Sequence, residues 1–126
     1  MSTLSDGAPG VLQAYYRILG AGIGTYDPGG EFRTLLADDL EFEGPLAGKR
    51  TGAEGFCQGV KGFIANVMDL RVIQEVHGLH GSAILYDAQM PGGTVRFAEF
   101  FSISDGKIAA LRLHYDAADY TQKGGR

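Results

Sequence analysis

A chain of 126 residues, 44% hydrophobic and 21% charged, has the size and composition of one globular domain that buries a core without staples. Its formal charge of −4 comes without any cluster of lysine or arginine, which argues against nucleic acid and other polyanions as partners, because phosphate neutralisation supplies most of that affinity. Cys57 stands alone, which leaves no disulfide framework and no cysteine-rich zinc site, and the 20 glycines favour a turn-rich α+β fold over a helical bundle.

Residues 1–9 form a polar lead-in with neither the basic region nor the apolar stretch of a secretion signal, and no run approaches the roughly 20 apolar residues of a membrane span. The expectation is one cytoplasmic domain over residues 1–126, with residues 1–9 and 121–126 as flexible ends and no membrane partner. Ser5 or Asp6 followed by Pro9 marks the start of a first helix running to about Ala21. Val11, Leu12, Tyr15, Ile18 and Leu19 recur at three- and four-residue steps and give it a buried face, flanked by Tyr16. Tyr26-Asp27-Pro28-Gly29-Gly30 reads as a turn, and a short second helix follows with Phe32, Leu35 and Leu36 inward and Asp38-Asp39 at its exit. Leu40-Glu41-Phe42-Glu43 alternates as a strand does and stops at Gly44-Pro45, with Leu40, Phe42 and Gly44 on one face.

Thr51 and Glu54 have capping-box spacing, and Ala53, Phe56, Cys57, Val60, Phe63, Ile64, Val67 and Met68 continue it as one wide apolar stripe on a third helix. Strands over 70–78, 82–90, 94–104 and 107–116 follow, joined by Pro91-Gly92-Gly93 and by Ser104-Asp105-Gly106. The order satisfies its apolar surfaces as an antiparallel sheet with helices on one face. On strand 94–104, Val95, Phe97, Phe101 and Ile103 share a face with Glu99, and a carboxylate in an apolar row is costly unless paired, protonated or in use.

The segment Leu36-Ala-Asp-Asp-Leu-Glu-Phe-Glu-Gly-Pro, the helix opening Thr51-Gly-Ala-Glu, and Phe100-Phe-Ser-Ile-Ser-Asp-Gly-Lys-Ile running into Leu113-His-Tyr-Asp resemble the nuclear-transport-factor-like superfamily, with its SnoaL-like polyketide-cyclase branch the nearest in pattern. That resemblance implies a cone, in which a curved antiparallel or mixed sheet wraps three N-terminal helices around an internal pocket. Steroid isomerases of the superfamily place a tyrosine on the first helix and a protonated carboxylic acid on the strand equivalent to 94–104. Tyr16, or Tyr15 with the helix rotated, and Glu99 fall at those places, while the family's aspartate base falls on Gly44. The epoxide hydrolase pattern is excluded, because Phe42, Gly44 and Leu113 stand where its polar residues would be.

Hairpin parity decides what surrounds Glu99. A two- or four-residue loop at Pro91-Gly92-Gly93 puts Ile84, Tyr86 and Ala88 on its face. At Ser104-Asp105-Gly106 a three-residue loop turns Leu111, Leu113 and Tyr115 toward Glu99, whereas a two-residue loop turns Arg112 and His114 that way. With the first register, which the resemblance favours, the pocket comprises Tyr16, Phe42, Phe56, Tyr86, Phe97, Glu99, Phe101, Leu111, Leu113 and Tyr115. Such a cavity suits a small, mostly apolar, oxygen-bearing molecule, with Glu99, Tyr16 and Tyr86 as candidates for cofactor-free and metal-free proton transfer next to a carbonyl. The competing reading is a non-catalytic binding or dimerisation module with a filled or small cavity, and a Glu99 paired to Arg96 or Arg112 for structure. His77 and His80 flank a turn and make a poor metal pair. Ile73, Leu85, Phe100 and Ala110 among Arg96, Arg112 and His114 give the outer sheet face the mixed character of a homodimer interface.

Overall fold

Alternating apolar residues and tight turns build most of this molecule, and the computed structural model describes residues 4–125. The elements run α1 (Gly10–Gly20), a single 3-10 turn (Ile23–Thr25), α2 (Glu31–Thr34), β1 (Leu36–Gly44), β2 (Gly48–Thr51), α3 (Ala53–Gly59), α4 (Lys61–Asn66), β3 (Asp69–His77), β4 (Gly81–Met90), β5 (Gly93–Ser104), β6 (Lys107–His114) and α5 (Ala117–Gln122). Six strands form one sheet in the order β2-β1-β6-β5-β4-β3. All neighbours are antiparallel except β1 and β6, so the sheet is mixed. Register shifts in the β1–β6, β3–β4 and β5–β6 ladders curve it, since a bulge bends and twists the strand that carries it. The helices fill the concave side, giving the expected α+β cone. No helix among the described residues is long and apolar enough to cross a membrane.

The β5–β6 hairpin resolves the parity question in an unexpected way. Ser104 pairs with Lys107, so the loop is the two-residue Asp105-Gly106, with φ of 55° and 74° as a type I′ turn requires. One step later the register slips, with Ile103 opposite Ile108 but Ser102 opposite Ala110. The extra residue in β6 undoes the parity of the short loop. Leu111 and Leu113 therefore stand opposite Phe101 and Glu99 on the inner face, and Arg112 and His114 point outward.

Four expectations need correction. Thr51 does not cap α3, because it pairs with Glu41 in the unforeseen strand β2; the N-cap is Gly52, at φ 117°, with no side-chain cap bond. The apolar stripe lies on two short helices, since Gly55, Gly59 and Gly62 each cost about 1 kcal/mol of helix propensity, and Met68 is exposed beyond them. The second helix ends at Thr34, and Leu36, Asp38 and Asp39 belong to β1. Past the sixth strand lies α5, unforeseen, opened by Asp116 accepting from the Asp119 N–H at 3.0 Å.

Described residues near both ends, in the stretches expected to be flexible, make contacts with the sheet. Leu4 and Ala8 are buried, and Ser5 donates through its backbone N–H and hydroxyl to Glu75. The Lys123 carbonyl accepts from the Gly92 N–H at 2.9 Å, and its ammonium donates to the Thr94 carbonyl at 2.8 Å. Residues 1–3 and 126, also placed in those ends, lie outside the described residues.

Candidate functional site

Glu99 occupies the middle of the inner face, between Ile84 on β4 and Leu113 on β6. Helix α1 docks over it through Leu12, Tyr15, Tyr16 and Leu19, a stripe at i, i+3, i+4 and i+7 whose two central members are both tyrosines. The Tyr15 hydroxyl donates to Glu99 Oε2 at 2.6 Å and the Tyr16 hydroxyl to Oε1 at 2.7 Å. Tyr86, from β4, reaches Oε1 at a longer 3.4 Å. Glu99 is only 2% exposed, and no buried side-chain polar atom among the described residues lacks a partner.

The arginines that offered Glu99 a structural explanation are engaged elsewhere. Arg96 forms a two-point pair with Asp87 at 2.7 and 3.0 Å, and Arg112 lies 3.5 Å from Glu43. With no cation beside it, Glu99 is governed by burial, which pushes its pKa up to about 7, although the three tyrosine hydrogen bonds pull the other way. Burial first, and then the Glu99 charge, raises all three phenols well above their ordinary value, so each remains a hydroxyl donor. The result is a carboxyl group poised between its two forms near neutral pH in a nest of fixed O–H donors.

This cluster forms one wall of a cavity of about 360 Å³. Of the residues singled out in the sequence, Phe42, Phe56, Tyr86, Phe97, Glu99, Leu111, Leu113 and Tyr115 line it. Tyr16 and Phe101 do not: Tyr16 holds Glu99 from behind, and Phe101 packs edge-on against Tyr15 and Tyr16 at 5.2 and 6.1 Å. Phe97 stacks on Tyr86 at 5.2 Å as part of the wall, so neither phenylalanine fills the volume.

Tyr15 takes the cavity-facing place that sequence reasoning gave to Tyr16. The signal was present in the Leu12-Tyr15-Tyr16-Leu19 spacing, which centres the buried stripe between the tyrosines rather than beside them. Phe63, Val60 and Leu19 add apolar wall, and Glu43, Gly44, Leu46, Ala47 and Arg50 from the β1–β2 hairpin form the rim. Tyr120, brought in by α5, closes the side next to Phe97 and Tyr115. Of these, Arg50 and Tyr120 sit on β2 and α5, the two elements that the hydrophobic pattern did not reveal.

No protein-family model matches the sequence, and no curated protein matches it significantly. Solved structures do match. A protein from Kribbella flavida DSM 17836 is 23% identical over 94% of both chains, with a TM-score of 0.76. An NTF2-like protein of unknown function from Cytophaga hutchinsonii ATCC 33406 is 17% identical over 93% of this chain and 99% of that one, with a TM-score of 0.67. A steroid delta-isomerase from Pseudomonas aeruginosa is 16% identical over 97% of this chain and 89% of that one, with a TM-score of 0.72. At these identities the likeness establishes the fold, and the nuclear-transport-factor-like architecture expected from the sequence is borne out. Activity has to be argued from the site.

Proposed function

Proceeding from an NTF2-like cone with a polar cluster on one cavity wall, we propose that the protein binds a small, largely apolar molecule by a carbonyl or hydroxyl oxygen and moves a proton at the carbon next to it. The observation that carries this reading is Glu99, buried beside the cavity against three hydroxyl donors and no cation. An effective general base or acid has a pKa near the working pH, and burial brings Glu99 to about 7. Tyr15 and Tyr16 hold the carboxyl group. Tyr86, whose bond to Glu99 is the longest at 3.4 Å, is the donor most easily turned toward a ligand oxygen.

In this scheme the Glu99 carboxylate takes a proton from the carbon next to the carbonyl, and the C–H electron pair moves onto the oxygen as an enolate. The Tyr86 O–H stabilises that charge. Return of the proton to the same or a conjugated carbon gives exchange or isomerisation, with no cofactor in the step. Gly44 offers no side chain at the rim, so Glu99 carries the proton in both directions.

The test is to incubate steroid, polyketide-like and terpenoid ketones with the protein in D2O and follow loss of the adjacent C–H signal by NMR. Exchange with wild type that disappears in Glu99→Gln supports the reading. Exchange that persists unchanged in Glu99→Gln removes Glu99 from the chemistry. Ligand-induced thermal stabilisation without exchange favours a pure binding protein, the second reading, which rests on Gly44 standing where a second inner-face acid would be.

A homodimer through the outer sheet face belongs to the same proposal. Phe100 is 48% exposed there with its ring edge-on to His114 at 5.8 Å, and Ile73 and Val76 are exposed on β3, two strands away across β4. A Phe100→Asp variant that elutes as a monomer from a size-exclusion column, against a dimeric wild type, supports that interface. A monomeric wild type refutes it.

A further inference from the structure

One charge at the cavity rim has no counter-charge among the described residues. Arg50 stands opposite Phe42 in the β1–β2 ladder and so shares its inner face. Its Nε donates to the Ala47 carbonyl at 3.0 Å, which folds the guanidinium back over its own hairpin beside the cavity. The terminal amino groups then have no partner among the described residues. Glu43, the other charged rim residue, is already committed: it lies 3.5 Å from Arg112 and opposite Lys49 across the hairpin.

Between this rim and Glu99 the walls are apolar, built from Phe42, Phe56, Phe63, Leu111 and Leu113. The cavity thus has oxygen-binding hydroxyls at one end, a greasy waist, and a free planar cation at the other. A neutral ligand leaves that cation with water alone. A carboxylate matches its fork of N–H donors at two points. A dianion carries surplus charge toward Glu43, so one negative charge fits best.

Resting on the pocket reading above, we propose that the ligand is an anionic amphiphile, specifically a keto or hydroxy monocarboxylate. Its oxygenated end meets Tyr86 and Glu99, its apolar body fills the waist, and its carboxylate sits on Arg50. Arg50 is then a specificity-determining residue that touches the ligand away from the reacting atoms.

A ladder of ω-benzoylalkanoic acids of increasing chain length, each paired with its primary amide, tests this by calorimetric titration. At the best-fitting length the acid should bind wild type about five- to tenfold tighter than the amide, the range for one charge-assisted contact at a wet rim. Sodium chloride should erode the preference, and Arg50→Gln, an exposed substitution, should abolish it by bringing the acid down to the affinity of its amide. Equal binding of acid and amide by wild type, or a preference that survives Arg50→Gln, overturns the anionic end while the pocket reading stands. Failure of every acid and every amide to bind overturns both. Glu99→Gln separates the two ends, because it should weaken acid and amide alike.

Discussion

Two carboxylates share one cross-strand row on the inner face of this sheet. Glu75 pairs with Ile84, and Ile84 pairs with Glu99, so the two acids lie about 10 Å apart with one isoleucine between them. Both are well supplied with donors. Glu75 accepts from Ser5 N–H and Oγ–H and lies 2.9 Å from His77 Nε2, whose Nδ1 in turn meets the Ser82 hydroxyl at 2.7 Å. Glu99 accepts three phenols. Yet their acidities move in opposite directions. For Glu75 burial pushes up, but the His77 and Ser5 hydrogen bonds outweigh it and the pKa falls; for Glu99 burial dominates and the pKa rises to about 7. Glu75 keeps contact with solvent, its side chain 16% exposed, and has an imidazole beside it, whereas Glu99 is 2% exposed and has no cationic partner among the described residues. Hydrogen-bond number does not decide the charge state. Dryness and the lack of a cation do, and they make one acid an anchor for the N-terminal segment and leave the other titrating near neutral pH.

The largest consequence is a stability slope of opposite sign at the two sites. A carboxyl group raised in the fold holds its proton more tightly folded than unfolded. Its contribution is therefore complete below the unfolded value of 4.5 and is lost as pH rises through about 7. For Glu99 that loss is of order 3 kcal/mol between those limits. Glu99→Gln should remove this part of the slope, so that urea unfolding at pH 4.5, 6, 7 and 8 gives a variant that gains on wild type as pH rises. Parallel curves for the two proteins would break the contrast at its root.

Next in size are the tyrosines. Tyr15→Phe and Tyr16→Phe each delete a short bond to Glu99 and should cost about 1.5–3 kcal/mol, the range for bonds to a charged group. Tyr86→Phe, deleting a 3.4 Å contact, should cost under about 0.5 kcal/mol but impair ligand binding most, since Tyr16 does not line the cavity and the Tyr15 hydroxyl, which does, is held to Glu99 at 2.6 Å. Because all three bonds lower the Glu99 pKa, every deletion should raise it further, readable from the carboxyl carbon resonance. On the other side, Glu75→Gln should cost about 1 kcal/mol and expose the N-terminal segment to proteolysis. Its pH signature is reversed: a lowered carboxyl contributes above its unfolded value and loses that contribution as pH falls through the folded one, so the variant should approach wild type in acid.

Much of this contrast was written in the sequence, and its gaps have physical causes. Glu99 was legible because strand alternation put it among Val95, Phe97 and Phe101, and one carboxylate breaks such a row visibly. The inward turn of Leu113 was legible only through the family resemblance, since the Asp105-Gly106 loop alone predicts the opposite parity and the compensating bulge leaves no mark in composition. Strand β2, Gly48-Lys-Arg-Thr, is exposed at all four positions, so no hydrophobic period announces it, and with it went the rim and Arg50. Helix α5 buries Tyr120 alone, too little for a stripe. The anchoring of Glu75 joins residues 70 positions apart, and no local pattern encodes such a pairing.

A change remote from all three donors isolates dryness from hydrogen bonding. Asp116 caps α5, and Asp116→Ala should cost about 1 kcal/mol by releasing the Asp119 N–H and fraying that short helix. Tyr120 rides on α5 and closes the cavity beside Phe97, so fraying admits water next to Glu99 without touching any of its three donors. If desolvation is what raises Glu99, its pKa should fall from about 7 toward 4.5 in this variant, while the Glu75 carboxyl resonance titrates as in wild type. A Glu99 titration unmoved by Asp116→Ala, in a protein whose α5 amides exchange faster, would show that α5 and Tyr120 do not supply the burial that raises Glu99, since its three hydrogen bonds only lower it.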